Sequence, residues 1–247
     1  MNAFIQFFYT ILYQPLLNIL VLLYVYLPGH DLGVAVIILT LAVKFILHPF
    51  SAKGMRSQKA MLTLQPKIKE LQNKYKDDRA QQSKALMELY KQEKISPMAG
   101  CLPLILQLPI IIALYKVFLG GLEAANLKTA LYSFVPNPGV MSTTFLGIFS
   151  LESKTFIVIV AVLAGVAQFA HAKLSAVKKQ PGKGGKKDFA GMMQSQMLYV
   201  FPLLTIFIIY KFGAVIGLYW LVSTAFSVIE QYVINKKYDR QKIAEKS

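Results

Sequence analysis

Apolar residues in this chain gather into long runs, separated and followed by strongly charged stretches. Residues 3–28 are apolar and aromatic but contain Gln14, Pro15 and Asn18. Pro15 removes a backbone donor in mid-helix. The segment therefore reads either as a kinked span or as a helix lying in the interface, with Tyr9, Tyr13, Tyr24 and Tyr26 at headgroup level. Pro28-Gly29-His30-Asp31 is a turn. A first span follows over 33–50, closing at His48-Pro49. Residues 51–97 change character: Met61, Leu64, Ile68, Leu71 and Tyr75 recur at the alternating three- and four-residue steps of a heptad seam. Asp77-Asp78 breaks that helix and caps a second one over 79–94, whose apolar side includes Leu86, Leu89 and Tyr90. The pattern predicts an antiparallel helical hairpin, weakly anchored because so few apolar residues face its seam.

Ser96-Pro97 opens a second span over 98–119, and 120–153 is a nearly neutral loop. A third span covers 154–174, a basic loop 175–195, and two further spans 196–211 and 214–234. Only Lys211-Phe212-Gly213 separates the last two, so they form an antiparallel pair. A basic tail, 235–247, ends the chain. The pattern shows no short-period repeat and no domain break beyond the inserted hairpin. It predicts an all-α polytopic membrane protein with five spans, or six if residues 3–28 cross as well.

Composition sharpens this picture. The chain has 247 residues, 55% of them hydrophobic, and a mean hydropathy of +0.48, too apolar for an ordinary soluble domain. Its formal charge is nevertheless +15, because charge and apolarity are segregated. Of the 27 Lys and Arg, 21 lie in 51–97, 175–196 and 236–247, with only eight of the 12 acids. The positive-inside rule places all three segments in the cytoplasm, with the C-terminus there too. There they face anionic lipid or ribosomal RNA. Cys101 is the only cysteine, which excludes a disulfide framework or a Cys-based metal site within one chain. The opening residues lack the positive n-region of a signal peptide and the Arg- and Ser-rich character of a transit peptide, which favours a bacterial protein.

Candidate chemistry lies in the few polar groups at membrane depth. Lys44 stands in the first span, and a cation in hydrocarbon costs at least about 2.5–3.5 kcal/mol. It snorkels to the cytoplasmic headgroups, about 9 Å away along the helix, or it needs a polar cavity. Gln107 in the second span and Gln168 in the third read as interhelical glue or as cavity lining. Trp220, Ser223 and Thr224 lie in the fifth span; Trp220 reads as anchor or packing, and Ser223 as bonded to its own helix. No carboxylate occupies the middle of a span. Glu230 lies near the inner end of the last span, where solvation is the default. A cation at depth without a counter-ion implies water, so a hydrated positive groove open to the cytoplasm is the economical reading. His30, His48 and His171 fall at or near span ends, with no protease motif and no phosphate loop. No enzyme, catalytic residue, cofactor or metal is expected.

The ordered motifs resemble those of the YidC/Oxa/Alb membrane protein insertase family. They are Gln14-Pro15-Leu16, then Val43-Lys44 with Pro49, then Leu64-Gln65-Pro66-Lys67-Ile68. Met87-x-Leu89-Tyr90-Lys91 and Pro97-x-x-Gly100-Cys101-x-Pro103-Leu104-x-x-Gln107-x-Pro109-Ile110 follow, and Leu218-Tyr219-Trp220-x-Val222-Ser223 completes the set. The resemblance covers about residues 10–238. It implies a five-helix core with a hydrophilic groove open to cytoplasm and lipid, a cytoplasmic hairpin between the first two spans, and residues 1–32 forming an interfacial helix and turn. The family's groove cation, usually Arg, falls on Lys44, with Gln107, Gln168, Trp220 and Ser223 as further groove candidates. The large periplasmic domain of Gram-negative relatives has no counterpart in these residues, so the resemblance implies a minimal bacterial form in the cytoplasmic membrane. Nascent membrane proteins are the implied substrates. A Sec-type translocon, the ribosome (through the basic loops) and anionic lipids are further candidate partners. A structural membrane-protein assembly factor and a small-solute transporter are the competing readings.

Overall fold

The computed structural model describes residues 3–93, 102–175 and 196–244. The expected opening of the second span at Ser96-Pro97, Cys101, the basic linker 178–187 and residues 245–247 lie outside them. The N-terminal segment is helical in three pieces: α1 (Ala3–Phe8), a π-helical turn (Tyr9–Tyr13) and α2 (Gln14–Tyr26). The Gln14 N–H reaches back five residues to Tyr9 O, so the register widens just before Pro15. Pro15 then sits in the first turn of α2, where its missing donor is tolerated.

α2 packs along a cap at one end of the helices. Leu17, Leu20, Val21 and Tyr24 are buried with Leu32, Ala35, Val36 and Leu39 of α3 (Leu32–Thr63) and with Leu127 and Ala130 of α7 (Ala124–Ala130). Asn18, 1% exposed, ties these pieces together: its Nδ2 donates to Gln14 O (2.7 Å) and Ala130 O (3.1 Å), and its Oδ1 accepts from Tyr132 N (2.7 Å). Further along, the Tyr24 hydroxyl accepts from Ser142 N at 2.7 Å. Contacts with 130–142 thus run from Gln14 to Tyr24, along most of the helix. A small hairpin, β1 (Thr144–Phe145) antiparallel to β2 (Phe149–Ser150), completes the cap. Asp31 joins it to the start of α3, accepting from Val34 N (2.8 Å) and Gly147 N (3.3 Å).

α3 departs from the expected span. It does not close at His48-Pro49 but continues through Pro49 to Thr63, 32 residues or about 48 Å. The break comes instead at Leu64, because Pro66 in the first turn of α4 (Gln65–Lys74) has no N–H to carry the helix forward. Met61 therefore belongs to α3, and the expected seam is split between two helices. α5 (Arg79–Gln92) packs back on α4, capped by Asp78, whose Oδ1 accepts from Ala80 N and Gln81 N. The pair is held by a few contacts: Leu64 and Leu89 are buried, Gln82 donates to Gln72 O, and Lys67 pairs with Glu93 at 2.5 Å.

The membrane helices form a row. α6 (Leu102–Lys116, extended by a π turn, Val117–Gly121) contacts α3, and α3 contacts α10 (Ala214–Ala244). α10 packs on α8 (Lys154–Ser175), and α8 on α9 (Phe201–Phe212, preceded by a π turn, Gln196–Val200). At the cap end the two ends of the row meet, with the Tyr115 and Phe212 rings edge to face at 5.1 Å. Among the described residues, four helices (5–26, 32–61, 154–175 and 214–237) are long and apolar enough to cross a bilayer; 105–121 and 196–212 are shorter apolar helices. The chain is thus an all-α polytopic membrane protein. Gly213, at φ +97°, makes the tight α9–α10 turn that a side chain would strain.

Candidate functional site

α3 and α10 both run from the cap toward the other face, so they are parallel neighbours, and their polar residues meet rung by rung. On α10, Tyr219, Ser223, Ser227 and Glu230 are spaced by four, four and three residues, which aligns them on one face. On α3, Lys44, His48 and Ser51 follow the same spacing. Lys44 Nζ donates to Ser227 Oγ at 3.1 Å and, more weakly, to Gln107 Oε1 of α6 at 3.5 Å. The amine therefore turns in between three helices instead of snorkelling to headgroups. Gln107 Nε2 donates in turn to the buried Tyr219 hydroxyl, which shares a second hydrogen bond with Ser223. Ser227 Oγ donates back to Ser223 O at 3.0 Å, so each partner of the cation is itself oriented.

Of the residues nominated from sequence, Lys44, Gln107 and Ser223 come together here. Gln168 lies on α8 and accepts from Thr224 Oγ1 at 3.4 Å, a quarter-turn round α10 from the cation. Trp220 is partly buried against Ala161, Ala164 and Ile209, on the side where α8, α9 and α10 meet. Tyr219 and Ser227 escaped sequence reasoning, although their spacing from Ser223 was there to be read.

The next rung differs from expectation. Glu230 is not solvated: it is 5% exposed. Its Oε1 accepts from His48 Nδ1 at 2.6 Å and from Ser51 Oγ at 2.5 Å, both on α3. His48 remains 53% exposed in its side chain. Beyond it, Ala52, Met55 and Ile234 form a small buried cluster, and Lys59 Nζ donates to Asn235 O at 3.0 Å. The α3–α10 contact thus continues past the cation, from Tyr219 to Asn235 or about 24 Å along α10. His171 on α8 also departs from an interfacial reading, since its Nε2 is buried without a hydrogen-bond partner.

Two properties of this arrangement matter chemically. The cation is held by neutral groups, which can exchange partners at modest cost, whereas a direct ion pair would resist exchange. And none of the groups at the cation is set as a nucleophile with its base.

The sequence model of the 60Kd inner membrane protein family matches residues 23–242. A Francisella philomiragia protein named membrane protein insertase YidC is 34% identical over 206 residues, 83% of this chain and 33% of that protein. A protein of the same name from Francisella tularensis subsp. novicida is 36% identical over 206 residues, with the same shares. The chain spans about a third of the length of these curated relatives. With nearly all of its membrane helices inside the matched region, the chain belongs to the 60Kd inner membrane protein family, the YidC/Oxa family.

Proposed function

We propose that this protein is a membrane protein insertase that moves hydrophobic segments of nascent proteins from the cytoplasm into the bilayer. The observation that carries the reading is Lys44: a cation in a membrane helix, turned between α3, α6 and α10 and held by Ser227 and Gln107. The polar end of an incoming chain rests beside that ammonium, in a groove open to the cytoplasm and lined further by Ser223 and Gln168. The stretch of hydrocarbon it must cross is thereby shortened. The apolar segment leaves sideways into lipid past Trp220, and its burial at about 0.8 kcal/mol per CH₂ drives release. Membrane potential adds about 2.3 kcal/mol per charge per 100 mV. No covalent bond is made or broken in this sequence of steps.

The setting follows from charge. The hairpin 51–97, the loop 175–195 and the tail face the cytoplasm of a bacterium, against anionic lipid, with the ribosome and a Sec-type translocon as further partners. Residues 3–28 lie in the outer interface; the run of contacts from Gln14 to Tyr24 with the cap supports this over a perpendicular span.

The test is rescue of insertase-depleted cells by Lys44→Arg, Lys44→Ala and Lys44→Glu, with a photocross-linker at positions 107, 168 and 220 against a stalled nascent membrane protein. Rescue by Arg, impairment by Ala and failure by Glu are expected, with cross-links at 107 and 168. Full activity of Lys44→Glu removes the electrostatic role. Absence of every cross-link supports an assembly factor instead.

A further inference from the structure

Glu230 is the one acid the chain places on the polar seam at membrane depth among the described residues, and it is buried. An uncompensated buried carboxylate is costly, so its setting has to hold it. Two α3 donors do so, His48 and Ser51, both to Oε1. Ser227, which binds Lys44, precedes Glu230 by three residues; His48 follows Lys44 by four. Lys44 and Glu230 thus occupy neighbouring rungs of one seam, and the carboxylate acts on the ammonium through space. The double tether to α3 fixes the register. It keeps the carboxylate one rung below the cation and prevents collapse into a direct pair.

We propose that Glu230 is a specificity-determining residue, a built-in counter-charge to Lys44 that lets the groove accept translocated ends that are neutral or carry lysine, as well as acidic ones. The inference rests on the reading of Lys44 as the groove cation. A lone ammonium attracts acids and repels incoming lysines. An ammonium with a fixed carboxylate one turn away presents a dipole with little net charge. An acidic end then gains less at Lys44, and a basic end finds a carboxylate at the inner mouth. His48 reinforces this, because it is half-exposed where the substrate enters and spends its Nδ1–H on Glu230.

The experiment uses the full chain in proteoliposomes and single-span substrates identical except for an acidic, neutral or lysine-bearing translocated end. The readout is the ratio of acidic to lysine-bearing substrate inserted. Glu230→Gln keeps an acceptor for Ser51 and removes the charge; it should raise that ratio about tenfold. Glu230→Asp should stay near wild type. His48→Arg sets a permanent cation against the carboxylate and should raise the ratio in the same direction, which keeps the test open should Glu230→Gln not fold. Lys44→Gln serves as the control on the underlying reading and should lower the ratio. If Lys44→Gln lowers it while folded Glu230→Gln or His48→Arg leaves it at the wild-type value, this inference is overturned and the insertase reading stands. If Lys44→Gln leaves the ratio unmoved, the groove-cation reading falls and takes this one with it.

Discussion

Gly217 on α10 sits where α8 and α9 press together. A Cβ there would stand 2.7 Å from Ile209 Cγ2 and 2.7 Å from Val160 Cγ1. Both neighbours are β-branched and in helices, so each has essentially one χ1 state and cannot swing aside. Two effects of Gly217→Ala then oppose each other. Alanine gains about 1 kcal/mol in helix propensity. Overpacking a fixed contact costs about 1–3 kcal/mol. The second wins, and the net loss is about 1 kcal/mol. At Gly165 an added Cβ would stand 2.6 Å from Cγ1 of Ile206, also β-branched and helical, and 3.4 Å from Pro202 O, so the same change should cost a similar amount there. The assay is reversible unfolding in mixed micelles titrated with a denaturing surfactant. Val160→Ala removes one of the two blocking methyls, so the double variant with Gly217→Ala should recover about 1 kcal/mol relative to the sum of the singles. A higher midpoint for Gly217→Ala, or strict additivity with Val160→Ala, refutes the close-approach argument.

Three other substitutions probe separate parts of the fold. Asn18→Leu leaves the Tyr132 N–H without its partner in a buried place and should cost about 1–3 kcal/mol, with faster amide exchange at Tyr132. Asp78→Ala removes two capping bonds and should cost about 1 kcal/mol, confined to the hairpin; exchange at Ala80 and Gln81 rises while the membrane helices keep their protection. Tyr219→Phe takes the acceptor from Gln107 Nε2 and should lower the unfolding midpoint by about 1 kcal/mol, with no change in the α4–α5 hairpin.

The membrane helices were legible because apolar runs of that length have one use, and Lys44 was legible because a charge inside such a run needs an explanation. The Asp78 cap and the Gly213 turn were equally readable, since each rests on one residue's local chemistry. The continuation of α3 through Pro49 was not. Proline usually ends a helix, but here packing on α10 lies on both sides of it: Lys44 on Ser227 before, Ala52 and Met55 with Ile234 after. That contact is supplied by residues nearly two hundred positions away. The burial of Glu230 was hidden for the same reason. A carboxylate near a span end reads as solvated until its donors, His48 and Ser51, are seen to arrive from the first membrane helix. Trp220 shows the reverse: the family resemblance suggested a groove and its residue type an anchor or packing, and only the meeting of α8, α9 and α10 shows what it packs on.

The placement of charge on the seam has an energetic logic. A direct Lys–carboxylate pair at about 4 Å is worth about 4 kcal/mol at an effective dielectric of 20, and every arriving chain would have to displace it. Hydrogen bonds from an ammonium to neutral oxygens are worth about 1.5–3 kcal/mol each, and a polar end can replace them with its own. At twice the separation the same Coulomb law gives about 2 kcal/mol, enough to offset part of the cost of holding a cation at depth without locking it. Ser227 and Gln107 at Lys44, with Glu230 one rung below, match that division. On the proposed function, the cation is kept charged by one residue and kept available by two others. Adding a carboxylate at position 227 should therefore impair turnover more than removing the one at 230: Ser227→Asp would pair Lys44 directly, and cross-links from position 107 to the nascent chain should fall while the protein itself unfolds later in surfactant. Undiminished cross-linking in Ser227→Asp would show that the ammonium is not the group a substrate has to reach.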